Sequence, residues 1–311
     1  MDKLSIIVPC FNEEEMIPVF FDEVQKNITK LTNVITEYWF INDGSSDKSL
    51  EKIKAIYLNN KDFVHFIDFS RNFGKEAALL AGLENATGDY VVVMDVDLQD
   101  PPELIERMLA ILKEEDIDCV GTRRVNRDGE PAIRSFFANM FYKVINLISS
   151  TPIVNGARDF RLMSRKMVDS ILQLTEYNRF SKGIFSWVGF KTKYIEYTNV
   201  ERKKGATSWS FWSLLRYSID GITDFSEAPL SIASWVGSLS FIGSILGIIF
   251  IVVRALIIPG SSVYGWASLI CVFLLFGGIQ LLCLGIVGKY IGKIYLQTKN
   301  RPIFIVKEKS E

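Results

Sequence analysis

A chain of 311 residues is long enough for one large domain or two smaller ones, and 49% apolar residues with a mean hydropathy of +0.19 lean toward membrane attachment. The 35 basic and 36 acidic residues leave a net charge of −1, which excludes the general attraction of a basic nucleic-acid binder. Four cysteines with no CxxC pair exclude a thiolate zinc site, and the one histidine, His65, sits in an apolar strand-like run, which disfavours Ser/His/Asp hydrolysis.

The chain opens without a signal-peptide pattern, since Met1-Asp2-Lys3 runs directly into the apolar stretch Leu4–Val8, expected to be a buried strand. A helix is predicted over Glu13–Ile28, a strand over Tyr38–Asn42, a helix over Asp47–Leu58 and a strand over Val64–Phe69. The helix Lys75–Glu84, the strand Tyr90–Met94, the helix Pro102–Leu112 and the strand Cys119–Gly121 continue the alternation, which predicts an α/β domain with a mostly parallel sheet.

Ligands of such sheets sit beyond the carboxyl ends of the strands, and polar turns follow four of them. These are Pro9-Cys10-Phe11-Asn12-Glu13, Asn42-Asp43-Gly44-Ser45-Ser46-Asp47, Ser70-Arg71-Asn72-Phe73-Gly74-Lys75 and Asp95-Val96-Asp97-Leu98-Gln99-Asp100. Each alone is ordinary turn chemistry; four on one rim point to a site. Asp95, Asp97 and Gln99 share a face if the chain stays extended, and their oxygens suit a hard divalent cation, Mg2+ or Mn2+. The competing reading is an acidic turn with Asp100 capping a helix opened by Pro101. Neither GxxxxGKS/T nor GxGxxG follows a strand, so standard P-loop and dinucleotide sites lack their fingerprints; Asp43 remains able to accept a hydrogen bond from a base or ribose.

Further on, Arg123, Arg124, Arg127 and Arg134 offer forked donors suited to phosphate oxygens, or form a solvated basic loop. Asp159 lies between Arg158 and Arg161, cations that keep it ionised whether it is a ligand contact or a salt-bridge partner. Arg202-Lys203-Lys204 leads into Trp209, Trp212, Leu215, Ile219 and Ile222 at helical spacing, predicting a helix in the membrane interface. No charge falls in Ala228–Val253 or in Ala255–Gly288, each longer than the ~20 residues that cross a bilayer; two buried core helices are the alternative. Basic residues on both outer flanks predict a multi-pass protein of the cell membrane with both chain ends cytoplasmic. The expected division is a catalytic domain over 1–205, a juxtamembrane region over 206–228, a two-helix hairpin over 229–291 and a tail over 292–311. Gly237, Gly243, Gly247, Gly277, Gly278, Gly285 and Gly288 would let helices pack closely, within one chain or in a homo-oligomer.

Taken together, Ile6–Glu13, Asn42–Asp47, Ser70–Ala78, Asp95–Pro102 and Asp220-Gly221-Ile222-Thr223-Asp224-Phe225-Ser226 before paired spans resemble the family 2 glycosyltransferases. The likeness is strongest to their polyprenyl-phosphate group, which includes dolichyl-phosphate mannose synthases and bactoprenol glucosyltransferases. The resemblance implies a GT-A (Rossmann-like) fold in which Pro9, Glu13, Asp43 and Lys75, with Asp95, hold a nucleotide sugar. It implies that Asp95, Asp97 and Gln99 hold the metal, that Arg123, Arg134 and Arg202 meet the lipid phosphate or donor diphosphate, and that Asp159 lies near the sugar. The sequence departs at Ser208, where relatives frequently have Lys. The reaction that the resemblance leads one to expect is inverting transfer of a sugar, preferably from a UDP-sugar, to a polyprenyl phosphate at the lipid bilayer. GDP-mannose as donor, or a nucleotide-sugar-binding membrane regulator, are the alternatives. The QxxRW motif of processive relatives is absent.

Overall fold

The computed structural model describes residues 1–124, 143, 146–147, 154, 156–197, 221–257 and 265–310. Among these, the elements in chain order are β1 (Asp2–Cys10), α1 (Met16–Ile28), β2 (Val34–Asn42), α2 (Ser49–Asn59), β3 (Val64–Phe69), α3 (Lys75–Asn85), β4 (Tyr90–Val93) and α4 (Leu104–Glu114). They continue with β5 (Cys119–Arg124), β6 (Ala157–Ser164), α5 (Arg165–Leu172), α6 (Ser181–Trp187), β7 (Thr192–Tyr197), α7 (Ala228–Ile257), α8 (Trp266–Thr298) and β8 (Val306–Lys309).

The eight strands form one sheet in the order β7-β5-β6-β4-β1-β2-β3-β8. β1 pairs in parallel with β2 and β4, β2 with β3, and β5 with β7, whereas β6 and β8 run antiparallel to their neighbours. The expected GT-A arrangement, a mostly parallel sheet followed by two long apolar helices, is the one present. Its central strands are buried on both faces, which is why β1 and β2 read as apolar runs without alternation. Leu4, Ile6, Val8, Tyr38 and Phe40 join α1 and α4 residues in one core, while Ile7, Ile41, Ile67 and the small residues of α3 build the other. Gly82 lets α3 ride directly on the sheet, since a Cβ there would lie 2.2 Å from Ile7 Cγ2.

The strand order reverses at β1, whose successors β2 and β3 lie on one side and β4 on the other, so the crevice between the ends of β1 and β4 is the topological switch point. Pairing between them stops at Ile7–Val93, and Pro9, which has no N–H to give, stands just beyond that opening. Gly44 takes φ +64, and a Cβ there would come within 2.3 Å of the Arg71 carbonyl carbon and 2.5 Å of the Asn72 nitrogen. The loops after β2 and β3 therefore touch backbone to backbone. Gly44→Ala is expected to cost about 2–3 kcal/mol and lower the melting temperature by several degrees, measured by intrinsic fluorescence; an unchanged midpoint would show that the loops part freely.

Two segments, Ala228–Arg254 and Val272–Thr298, are each 27 residues of mean hydropathy 2.5 and 2.0 and are long and apolar enough to cross a membrane. None of either window is buried, and residues such as Leu239, Phe241, Phe273 and Leu281 are more than 60% exposed, so the core-helix alternative does not hold. The second helix does not end near residue 291. It runs on to Thr298, and its end meets residues 224–226 and the α/β domain at Tyr177. Tyr290 donates its hydroxyl to the Ser226 carbonyl (2.6 Å), Lys293 pairs with Asp224, and Gln297 accepts from the Tyr177 N–H (2.7 Å). The predicted interfacial helix around Trp209–Ile219 lies outside the described residues.

Candidate active site

The rim of the switch-point crevice is sewn together by its own turn residues. Asn12, at φ 54, accepts the Ser46 N–H (2.9 Å), and Ser45 Oγ accepts the Asn12 N–H (2.9 Å) while donating to Asn42 Oδ1 (2.6 Å). Glu13 N–H donates to Ser49 Oγ (2.8 Å), which places Glu13, half-buried, between the first two loops. Asp43 is buried and its N–H donates to the Cys10 carbonyl (2.9 Å). Its carboxylate accepts the N–H groups of Phe73 (2.6 Å) and Gly74 (3.0 Å), fixing the loop that starts α3. Burial raises its pKa despite those two donors.

Across the crevice the β4 ladder ends at Val93 and Leu98 takes φ 55, so the acidic segment is a turn and not an extended strand. Alternation of burial nevertheless persists, with Val96, Leu98 and Asp100 buried and Asp95, Asp97 and Gln99 half-exposed. Asp97 Oδ1 accepts the Gln99 N–H (3.2 Å), closing the turn. The Gln99 side-chain oxygen accepts from Arg158 Nη2 (3.3 Å). Asp100 does not cap a helix: α4 begins at Leu104, and the Asp100 carboxylate is buried against Arg158 (3.4 Å) and the Tyr197 hydroxyl. Burial raises the Asp100 pKa, with Arg158 opposing it.

Lys75, the first residue of α3, draws the two halves together. Its ammonium lies 2.7 Å from Asp95 and 2.6 Å from Asp159, which projects from β6. Burial alone would lower the Lys75 pKa, but Asp159 and Asp95 together raise it above the ordinary value. Asp159 is the converse case: burial opposes its ionisation, yet Lys75, aided by Lys182 and Arg161, holds its carboxyl well below the usual range. The cation that fixes Asp159 is thus contributed from 84 residues away and not chiefly by its sequence neighbours. Arg161 is buried, lies 3.8 Å over the Phe185 ring and donates to the Arg158 carbonyl (3.0 Å).

Arg123 stands at the end of β5, about half exposed and 3.8 Å from Glu196. Arg134 and Arg202 lie outside the described residues, as do Arg127 and Ser208. His65 stacks on Trp39 within the sheet (4.7 Å), and Cys10, Cys119 and Cys283 are free thiols. Sequence reasoning passed over Glu76, whose carboxylate accepts the N–H (2.9 Å) and the hydroxyl of Ser181 at the start of α6, and whose pKa burial pushes up to about 7. It also passed over Tyr197 and Lys182.

Among the described residues no group of three or more His, Cys, Asp or Glu side chains is arranged to hold a metal by itself. The donor set still fits Mg2+ or Mn2+. Asp95 and Asp97 are two hard carboxylates on an open turn, and such ions are commonly bound by one or two carboxylates with substrate phosphates and water completing the shell.

The family description Glycosyl transferase family 2 matches residues 5–172, which contain every one of these loops. The chain is 43% identical over 305 residues to CsbB of Bacillus subtilis (strain 168), covering 98% of this chain and 91% of that one. It is 41% identical over 311 residues to a bactoprenol glucosyl transferase of Shigella phage SfX, covering 99% of both, and 42% identical over 313 residues to a prophage bactoprenol glucosyl transferase homolog of Escherichia coli (strain K12), covering 98% of both. With the family matching residues 5–172, β1 through α5, and these relatives aligned nearly end to end, the chain belongs to glycosyl transferase family 2.

Proposed function

We propose that the protein transfers a sugar from a nucleotide sugar, UDP-glucose or UDP-N-acetylglucosamine, to the phosphate of a polyprenyl phosphate, with inversion. The observation that carries this reading is the near end-to-end likeness to a bactoprenol glucosyl transferase, membrane helices included. It is supported by the way α8 leaves its apolar stretch and meets the catalytic domain at Gln297, which bonds the backbone of Thr175 and Tyr177. A polyprenyl acceptor keeps its chain in lipid and its phosphate at headgroup level, so the crevice has to be held there.

The donor would lie across the β1/β4 crevice, its nucleotide toward Pro9, Glu13 and Asp43 and its diphosphate toward Lys75, Asp95 and Asp97. Asp95 and Asp97, with Gln99 beside them, would hold Mg2+ or Mn2+, which when bound neutralises the charge of a departing diphosphate. Lys75 adds a fixed positive charge at the same place, already oriented by two carboxylates. The acceptor phosphate has a second pKa near ~6 and arrives largely ionised at neutral pH, so no strong base is needed. Asp159 suits that economy: held ionised by Lys75, it is a poor proton acceptor and a good anchor for a sugar hydroxyl. Arg123, with Arg134 and Arg202, would orient the lipid phosphate for attack.

The chain ends would both be cytoplasmic, because Lys289, Lys293, Lys299 and Arg301 follow the second span and β8 returns to the same sheet that β1 opens. A homo-oligomer through the glycine-bearing helix faces fits this arrangement. The test is transfer from a panel of radiolabelled UDP- and GDP-sugars to undecaprenyl phosphate by purified protein with Mg2+ or Mn2+. Metal-dependent label in the lipid fraction, reduced at least about 100-fold in Asp97→Ala, is expected and names the sugar. Binding of nucleotide sugars without transfer to any lipid would overturn the catalytic reading in favour of a membrane regulator.

A further inference from the structure

The residues after α8 read as a charged tail, yet they form β8, an antiparallel strand on the β3 edge with Ile67 opposite Lys309, Asp68 opposite Glu308 and Phe69 opposite Val306. The pairing is completed at both ends. Ser70 N–H donates to the Ile305 carbonyl (3.0 Å), and Ser310, buried, donates its N–H to the Phe66 carbonyl (3.0 Å) while its Oγ accepts the Phe66 N–H (3.0 Å). Lys54 pairs with Glu308 (2.6 Å), and the Lys309 ammonium reaches Asn85 (2.5 Å). A sheet edge is covered, and a strand fed directly from a membrane helix covers it.

Two chains of contacts lead from this strand into the donor loops. In the first, Phe304 stacks on Phe69 (4.9 Å, 17°), Phe69 meets Phe73 edge-on (5.7 Å, 90°), and the Phe73 N–H is the donor that Asp43 accepts at 2.6 Å. Gly74 follows at once, so the ring stack bears on the loop that leads into α3, whereas the Lys75 ammonium is held separately by Asp95 and Asp159. In the second, Lys307 lies 3.6 Å from Asp68 Oδ2, a buried carboxylate oxygen with no hydrogen bond; Asp68 Oδ1 accepts from Asn42 (2.7 Å), and Asn42 accepts from Ser45, which holds Asn12.

We propose that the segment Ile303–Ser310 is a positioning element for donor binding, with Phe304 its key residue, and that it ties the cytoplasmic end of the second membrane helix to the loops after β1, β2 and β3. The inference rests on the reading of the β1/β4 crevice as the nucleotide-sugar site. Phe304 touches no donor atom; it acts by restricting residues 70–74 to the conformation in which Asp43 accepts both N–H groups. Removing the ring frees the loop, and the donor must then order it on binding.

The experiment uses the full-length protein in nanodiscs, with Phe304→Ala, Phe304→Leu and Phe304→Tyr. Steady-state kinetics with UDP-sugar and undecaprenyl phosphate are read beside UDP titration and amide hydrogen exchange over residues 66–85. Phe304→Ala and Phe304→Leu are expected to raise donor KM and weaken UDP binding about five- to tenfold, with kcat and acceptor KM within about twofold and faster exchange at residues 70–74. Phe304→Tyr, which keeps the ring, is expected to restore the donor KM. Unchanged donor KM and unchanged exchange in both truncated variants would overturn the proposal, as would equal losses in donor and acceptor KM. Should the wild-type protein transfer no sugar, the catalytic reading fails while exchange at residues 70–74 still decides whether Phe304 holds the loop.

Discussion

Lys75→Met is expected to lower sugar transfer by about 100- to 1,000-fold, the scale seen when one preorganised electrostatic partner is removed from a reacting centre. The reason lies in its two contacts, 2.7 Å to Asp95 and 2.6 Å to Asp159. Without the ammonium, two half-buried carboxylates face one another, and a diphosphate bound as proposed would lose a fixed cation. The pH profile carries the sign. In the wild type Lys75 holds the Asp159 pKa far down, so Asp159 stays ionised and contributes no acid limb near neutrality. In the variant, burial and the neighbouring carboxylate both favour the protonated acid, so residual activity is expected to fall as pH drops through a limb moved upward. Measuring kcat across pH in both proteins checks this; superimposable profiles would show that Lys75 does not control Asp159.

Asp159→Asn is expected to cut kcat about 100-fold with donor KM changed only a few-fold, since the amide keeps the shape but loses the charge that Lys75 pairs with and that the proposed sugar contact would use. The two substitutions share one ion pair, so the double variant is expected to lose much less than the product of the single losses. Near-normal turnover in Asp159→Asn would remove the residue from the catalytic account. An inflection between about pH 5 and 8 in the wild type that vanishes in this variant would make Asp159 a base instead of an anchor.

Much of the catalytic domain was legible because its strands are buried on both faces. Runs of that kind are recognisable without their partners: Ile6-Ile7-Val8 and Tyr90-Val91-Val92-Val93 are continuous apolar segments closed by turn residues. Boundaries drifted where local chemistry competes with the ladder. β2 begins at Val34, ahead of the apolar run, because polar Thr36 and Glu37 still pair with β1, and Glu37 is paired with Lys3 (2.6 Å) and accepts the Ser5 hydroxyl. β6 escaped notice since Ala157-Arg158-Asp159-Phe160-Arg161 puts charges on both faces of the strand, and β8 because Val306-Lys307-Glu308-Lys309 reads as solvated tail.

By itself the sequence determined the alternation of strands and helices, the four polar turns on one rim, and the two apolar stretches, because burial and hydration are written in residue type and spacing. Only the tertiary structure decided the partners. Lys75 joins Asp159 across 84 residues, Asp100 turns inward to Arg158 and Tyr197 instead of capping α4, Gln99 faces Arg158, and Phe304 reaches Phe69 from beyond the second long apolar helix. Such pairings depend on which strands lie adjacent and on where each loop is pinned, and a charge or a ring in the sequence carries no record of the distant group it will meet.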